Sequence, residues 1–424
     1  MKTYFGRTDR MIKLNFDVKR HIFENGLEVI TINKDTQIAS INIGIKVGAI
    51  YEEMNEKGIS HFIEHVLFKG TTTRNDEKLN EELEALGGEY NAYTDYDATV
   101  YTISCLKEEF ENAVELLGDM IINPEFDADE IEKERGVILS EIRMSKDDIE
   151  DLSFKNVNRA AFDKSSLKYE VTGLEENVAG FTKSQIREYY DKHYTPKNSL
   201  ITLVSSLNHD EALNLIKKHF GMWQGEKPVN KPIIKENNKN ITEVSYKKDI
   251  EQSTIVYLYT FYGISKEDEL PLRILNHRLG ESSNSLLFRE VREKRGLAYD
   301  IYTHLEITNN IKTLYIYTAV SEENIAEAKN AIDETLKNVV DGKIQIGEKD
   351  LKIMKKVHKM AVISTLEDSA ELCNYMLHQA LEDEDIYEFL NDMNRLDNLN
   401  VDKINAISRN VLKDPTIHIL KADN

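Results

Sequence analysis

His61, Glu64 and His65 carry the strongest chemical pattern in the chain, because they form the spacing H-x-x-E-H. On a helix, residues four apart lie about 40° from each other, so both imidazoles can reach one metal ion. Two neutral imidazoles suit Zn²⁺, and a carboxylate beside them can take a proton from a zinc-bound water. The pattern predicts one Zn²⁺ per chain, with Glu64 as general base. The alternative is a surface helix that happens to carry two histidines.

A catalytic zinc site needs a further ligand, and two downstream glutamates are candidates. Glu134 and Glu141 lie seven residues apart in IEKERGVILSEI, so two helical turns place them on one face. Catalytic zinc commonly uses two histidines and one glutamate, while another carboxylate can orient a ligand histidine. Spacing alone does not choose between the two glutamates. With 75 acidic residues in the chain, a solvated acidic face is the alternative interpretation.

The elements that must position these residues have signals of their own. We expect the motif to lie on a short amphipathic helix that follows a strand and ends at Gly70. Asn25-Gly26 between two apolar runs predicts a β-hairpin, and the alternation over residues 38–47 predicts a half-buried strand. Apolar residues at three- and four-residue spacing over 110–121 predict a helix that faces a core.

The chain repeats itself at an offset of 209 residues, where GGEYNAYT is echoed by GLAYDIYT. A period this long indicates two copies of one domain rather than a solenoid. We predict an α+β fold of two homologous domains, each an antiparallel-rich sheet with helices packed on one face. The predicted parts are residues 1–223, a linker over 224–240 that is rich in Asn and Lys, and residues 241–424. The matched positions are Gly87, Tyr90, Tyr93 and Thr94 on Gly296, Tyr299, Tyr302 and Thr303.

Composition indicates which partners and which compartment to expect. The net charge of −21 argues against nucleic acid and anionic membranes as partners. Cys105 and Cys373 cannot form a disulfide framework and indicate a reducing compartment. No apolar run approaches a membrane span, and the charged N-terminus lacks the apolar centre of a secretory signal. We therefore expect a cytoplasmic protein that starts at Met1 or Met11.

Three segments together resemble the pitrilysin/insulinase family of zinc peptidases, which includes mitochondrial processing peptidase: GISHFIEHVLFKGT, ERGVILSEI and VREKRGLAYDIYT. The resemblance implies that His61, His65 and Glu141 bind zinc and that Glu134 supports a ligand. It also implies that Arg292 and Tyr299, which match a pair contributed by another domain, hold the substrate and stabilise the developing oxyanion. Without the resemblance, Arg292 is one charge in a basic run and Tyr299 a strand aromatic.

The two predicted domains divide these functions. Residues 270–280, where the second copy of the zinc helix should fall, hold only His277, which we interpret as structural. The first half has Glu82 or Leu83 where the second half has Arg292. The resemblance also implies that Asn91, Ala92 and Tyr93 form an edge at which an extended peptide binds.

Larger members of the family close as a clamshell around a chamber, so a two-domain chain implies a homodimer with composite active sites. The predicted activity is zinc-dependent endopeptidase cleavage of short or unfolded peptides, or of leader sequences. Two alternatives remain. One is a non-catalytic peptide-binding subunit of a heteromeric peptidase. The other is a metal-binding regulatory protein, which would not need Glu64.

Overall fold

The computed structural model describes residues 15–423. The prediction about Met1 and Met11 falls outside these residues. The described chain folds around two β-sheets, one in each half, and most of its helices pack on the faces of these sheets.

The described part of the first half contains six strands and eight α-helices, besides short 3₁₀ turns. Their bounds, in chain order, are β1 (Phe16–Ile22), β2 (Glu28–Lys34), β3 (Ile38–Ile45), α1 (Ile59–Val66), α2 (Asp76–Ala85), β4 (Glu89–Thr94), β5 (Thr99–Leu106), α3 (Phe110–Ile122), α4 (Ala128–Asp147), α5 (Ile149–Ala161), α6 (Glu175–Gly180), α7 (Lys183–His193), β6 (Ser199–Ser205) and α8 (His209–Phe220).

Up to residue 423, the second half contains five strands and six α-helices, with two π-helical turns at His277–Glu281 and Phe288–Glu293. The bounds of the regular elements are β7 (Thr242–Lys247), β8 (Ser253–Thr260), α9 (Lys266–Asn276), β9 (Ala298–Ile307), β10 (Lys312–Val320), α10 (Ile325–Val340), α11 (Glu348–Glu367), α12 (Ser369–Leu381), α13 (Glu388–Asn398), α14 (Val401–Val411) and β11 (Thr416–Ala422).

The two sheets share one topology. The first has the order β1-β2-β6-β3-β5-β4 and the second β7-β11-β8-β10-β9, so the second repeats the first without the β1 edge. In each sheet one pair is parallel, β2 with β6 and β11 with β7, and the other neighbours are antiparallel. Gly87 and Gly296 both have left-handed φ, 62° and 64°, just before the equivalent strands β4 and β9. The predicted duplication and the mixed α+β class are confirmed.

Each half also covers the outer face of the other half's sheet. Helix α12 of the second half packs on β3 and β6 of the first sheet, and α5 of the first half packs on β8 and β11. The sequence predicted helices packed on one face of each sheet, and the structure adds a helix from the other half on the second face. The outer cluster of the first sheet joins strand residues to helix residues: Ile30, Ile32, Val100, Leu200 and Val204 with Leu372, Cys373, Met376, Leu377 and Ala380.

The hairpin, the strand and the core-facing helix predicted from local sequence are present in the first half. Asn25-Gly26 connects β1 and β2, whose register sets Ile22 opposite Glu28, so the predicted hairpin is confirmed. The predicted strand is β3 and the predicted helix is α3. The predicted helix end at Gly70 is wrong, because α1 ends at Val66. Gly70 instead has a φ of 113° and turns the chain into a short bridge with Asn75.

The segment over residues 224–240 contains neither helix nor strand. It lies against the first half through Glu236, whose carboxylate accepts hydrogen bonds from the backbone N–H groups of residues 163–165. Both Cys105 and Cys373 are buried free thiols. Among residues 15–423, no helix has the length and apolar character needed to cross a membrane.

Candidate metal centre

Helix α1 presents the H-x-x-E-H residues from a fixed position. Glu52 caps its N-terminus: one carboxylate oxygen accepts from the Gly58 N–H and the other from the Ser60 N–H, both at 2.9 Å. These bonds satisfy N–H groups that a helix start leaves unpaired. Burial raises the pKa of Glu52 to about 7, against the pull of these bonds. Phe62 and Ile63 are fully buried, so the helix cannot rotate about its axis without exposing them.

The ligand atoms expected from the sequence converge between α1 and α4. Glu141 Oε2 lies 3.8 Å from His61 Nε2 and 3.6 Å from His65 Nε2. One ligand atom from each of the three residues lies within 4.8 Å of the others. A tetrahedral zinc with bonds of about 2.0–2.2 Å separates its ligand atoms by about 3.3–3.6 Å. The three side chains therefore have nearly the spacing that one zinc ion requires.

Glu134 contacts the Nδ1 side of the His65 ring, whereas Glu141 lies on the Nε2 side with the other possible ligand atoms. Its Oε2 is 3.0 Å from His65 Nδ1, and its Oε1 is 3.0 Å from Lys69 Nζ. When Nδ1 donates to a carboxylate, the lone pair of His65 is left on Nε2, which faces Glu141. The structure thus separates the two glutamates that spacing alone could not separate.

The charges around the histidines fit a cation. Burial, with a smaller contribution from His65, lowers the pKa of His61 to about 4, so its ring is neutral at pH 7 and can donate a lone pair. Burial alone would lower the pKa of His65 as well, but the hydrogen bond to Glu134 and the charges of Glu141 and Glu64 raise it. Carboxylates that draw a proton to this position also favour a metal ion there.

Glu64 lies on the same helix and is held from strand β4. The Thr94 hydroxyl donates to Glu64 Oε2 at 2.6 Å. Burial raises the pKa of the Glu64 carboxyl, although the Thr94 hydrogen bond and His65 oppose this change. The side chain is partly buried at the edge of the ligand cluster, where a general base must lie.

Arg292 and Tyr299 lie together in the second half. The Arg292 guanidinium stacks over Tyr299 and over Phe288, each 4.7 Å from the ring centre. The Tyr299 side chain is 78% exposed. Within residues 15–423, the Arg292 guanidinium contacts the Phe288 and Tyr299 rings, and no ion pair joins it to the ligand cluster. The structure brings this pair together but does not place it at the metal centre of its own chain.

The predicted substrate strand is an open edge. Asn91, Ala92 and Tyr93 lie on β4, which pairs on one side with β5 and ends the sheet on the other. The Tyr93 hydroxyl lies 2.9 Å from Asn374 Oδ1 and 2.7 Å from His378 Nε2, both on α12. An extended peptide could add to the free side of this strand.

The described part of the second half has no three-residue grouping that could hold a metal. His277 lies 3.2 Å from Glu281 in a π-helical turn, as a structural ion pair would.

Two residues near the centre were missed by the sequence analysis. Lys69 follows His65 by four residues, which could have signalled a shared face, whereas Thr94 gave no signal beyond its place in the repeat.

Comparison with known proteins agrees with the fold and identifies the family. Residues 28–174 match the family model described as insulinase (peptidase family M16), and residues 180–356 match the model described as the peptidase M16 inactive domain. An uncharacterized zinc protease of Mycobacterium leprae is 30% identical over 413 residues, 96% of this chain and 92% of that protein. Another from Bacillus subtilis is 28% identical over 408 residues, covering 94% and 96%. The chain belongs to the insulinase family, peptidase family M16.

Solved structures give the same fold. A protease from Helicobacter pylori superposes with a TM-score of 0.90 at 23% identity, over 96% of this chain and all of that chain. The periplasmic protease PqqL of Escherichia coli matches over 96% of this chain but 48% of its own length, with a TM-score of 0.76 at 22% identity. In fold, this chain therefore corresponds to about half of that larger protein.

Proposed function

We propose that this protein is a zinc-dependent endopeptidase that hydrolyses short or unfolded peptides, leader sequences included. The observation that carries the proposal is that one ligand atom each of His61, His65 and Glu141 lies within 4.8 Å of the others. Glu64 lies beside the two histidines on α1. Family membership and relatives named zinc proteases support it. The free buried cysteines favour a reducing, cytoplasmic location.

His61, His65 and Glu141 would hold the zinc, and Glu134 would fix the His65 ring through Nδ1. When bound, zinc supplies a Lewis acid that polarises the scissile carbonyl and lowers the pKa of water. Glu64 accepts the proton of the attacking water and delivers it to the leaving amine. The free edge of β4 aligns the peptide through main-chain hydrogen bonds, which makes binding tolerant of sequence.

We infer that the working unit is a homodimer with composite sites. Tyr299 is exposed, Arg292 is half-buried and stacks on its ring, and neither belongs to the ligand cluster of its own chain. A second copy that faces the first would bring this pair to the scissile carbonyl, where both can donate to the oxyanion. The half-length match to PqqL supports an assembly of two such chains around a chamber.

The test is cleavage of a mixed library of 10- to 30-residue peptides, read by mass spectrometry. We expect the wild type to cleave, and Glu64→Gln to lose at least about 100-fold in rate, because general acid–base catalysis contributes 10²–10⁴-fold. Glu64→Gln should still bind zinc, since its side chain is not one of the three ligands. Chelation should abolish cleavage, and added zinc should restore it. Zinc binding without cleavage by the wild type would contradict the proposal and favour the peptide-binding subunit.

A further inference from the structure

The hydrogen bond that holds Glu64 comes from the last residue of the edge strand, not from the helix that carries Glu64. Thr94 Oγ1 lies 2.6 Å from Glu64 Oε2. Glu64 has three rotatable side-chain bonds, so a short bond to a fixed strand end restricts where its carboxylate can lie. With Oε2 engaged, Oε1 is the oxygen left to take a proton.

Thr94 is itself held on both sides. It pairs with Thr99 in the β4–β5 ladder. The preceding residue, Tyr93, stacks on His378 with ring centres 6.1 Å apart, and its hydroxyl lies within hydrogen-bond distance of His378 and Asn374. Both partners lie on α12, which belongs to the second half and packs on the first sheet. A continuous set of contacts thus runs from α12 through Tyr93 and Thr94 to Glu64.

We propose that Thr94 is a positioning residue for Glu64, and that α12 supports this role through Tyr93. The inference rests on the proposed function and gives the second half, which lacks the metal ligands, a part in the chemistry of its own chain. A general base works only within hydrogen-bond reach of the proton it removes, and small misplacements cost large factors in rate.

The duplicated fold provides a matched control. Thr303 occupies the position of Thr94 in the second copy, on β9, and its hydroxyl donates weakly to the Asn276 carbonyl oxygen at 3.5 Å. Valine at either position keeps the β-branched shape and removes the hydroxyl. Thr303→Val therefore controls for the loss of a threonine hydroxyl at the same place in the fold.

The experiment compares kcat, KM and zinc affinity for Thr94→Val, Thr94→Ser and Thr303→Val in the full chain. We expect Thr94→Val to lower kcat by about 10- to 100-fold, with KM and zinc affinity within twofold of wild type. Thr94→Ser should restore most of kcat, and Thr303→Val should match the wild type. Zinc affinity, measured by competition with a chromophoric chelator, reports on the ligand cluster independently of turnover.

A Thr94→Val chain with wild-type kcat would overturn the proposal, as would a loss of zinc affinity in proportion to the loss of kcat. Tyr93→Phe tests the part assigned to α12: it should lower kcat by a smaller factor, and an unchanged kcat would overturn that part. A wild type that cleaves no peptide would overturn the proposed function together with this one. An active wild type with an equally active Thr94→Val would overturn this one alone.

Discussion

At the scale of single residues, the two oxygens of Glu134 have different partners. One lies at His65 Nδ1 and the other at Lys69 Nζ, each at 3.0 Å. A carboxylate fixed at both oxygens cannot swing, so it fixes the plane of the His65 ring. Lys69 therefore influences the His65 ring through Glu134 and not by direct contact.

We predict that Lys69→Met lowers zinc affinity by about tenfold, the lower end of the range for groups that orient metal ligands. Methionine keeps an unbranched apolar side chain and removes the ammonium group, so Glu134 loses one of its two partners. The measurement is chelator competition on the purified chain.

Lys133→Met is the matched control for this prediction. Lys133 pairs with Glu130 at 2.6 Å on the exposed side of α4, where ion pairs contribute little. We expect it to bind zinc as the wild type does. Equal zinc affinity in Lys69→Met and Lys133→Met would show that Glu134 needs no second partner.

How far the sequence predicted these residues depends on whether the contacts are local. His61, Glu64 and His65 share one helix, so spacing was enough to group them. Glu134 and Glu141 share a helix face, and only the packing of α4 against α1 decides which of them reaches Nε2. Thr94 could not be found because its contact with Glu64 joins a strand end to a helix across 30 residues. The ligand set itself stays a prediction until zinc binding is measured.

At the scale of elements, α12 is the helix whose position the sequence did not indicate. Its apolar residues repeat as in any core helix, and nothing local tells which sheet they cover. Leu377 is fully buried, and a Cβ on Gly44 of β3 would lie 3.3 Å from a Leu377 methyl carbon. The absence of a side chain at Gly44 lets the helix approach the strand closely.

We predict that Leu377→Ala lowers the free energy of unfolding by about 2–5 kcal/mol, because it leaves a cavity in a packed interface. Urea denaturation followed by circular dichroism measures this loss. Met360→Ala is the control, since Met360 is 63% exposed on α11 and its truncation should change stability by at most about 0.5 kcal/mol. A similar small change in both variants would contradict the assignment of α12 to a core.

At the scale of the whole molecule, the proposed homodimer with composite sites makes a quantitative prediction. Glu64→Gln and Tyr299→Phe disable opposite parts of a composite site, so a mixed dimer keeps one intact site of two. Mixing equal amounts with subunit exchange should recover about a quarter of wild-type activity, since half of the dimers are mixed.

The control mixes Glu64→Gln with a chain that carries both substitutions. Every site in that mixture lacks Glu64, so activity should stay at the level of the single variant. Failure of the first mixture to recover activity after verified exchange would exclude composite sites between copies of this chain.

The contact between the two halves also predicts a pH dependence of stability. Burial first, and then the charges of Asp95, Asp97 and Glu382, raise the pKa of Glu306 to about 8. The unfolded chain releases this proton near pH 4.5 and the folded chain near pH 8, so stability falls as the pH rises through this window. Each pH unit inside it costs up to about 1.4 kcal/mol.

Glu306→Gln removes this cost, so its melting temperature should exceed that of the wild type by a margin that grows from pH 5 to pH 8. Thermal unfolding across that range measures the margin. Glu243→Gln makes the same change on the exposed opposite edge of the second sheet and should follow the wild-type curve. A constant difference between Glu306→Gln and wild type would mean that Glu306 ionises alike in both states.

The fold class and its duplication could be predicted because the repeated segment (GGEYNAYT and GLAYDIYT) and the turn glycines are local signals. The exchange of helices, in which α12 covers the first sheet and α5 covers the second, could not be predicted. It depends on which of two similar sheets each helix packs against. Helix α12 begins at Ser369, 164 residues after β6 ends at Ser205. Helix α5 likewise packs on β8 and β11, which lie later in the chain.

That exchange has a consequence for synthesis on the ribosome. The strands of the first sheet are complete at Ser205, yet the helix that covers their outer face begins only at Ser369. At about 5–20 residues per second, the gap lasts roughly 8–33 s. Throughout that interval the nascent chain carries an uncovered apolar sheet face, a surface of the kind that chaperones bind. Translation rate and chaperone supply should therefore influence the yield of this protein more than its final stability does.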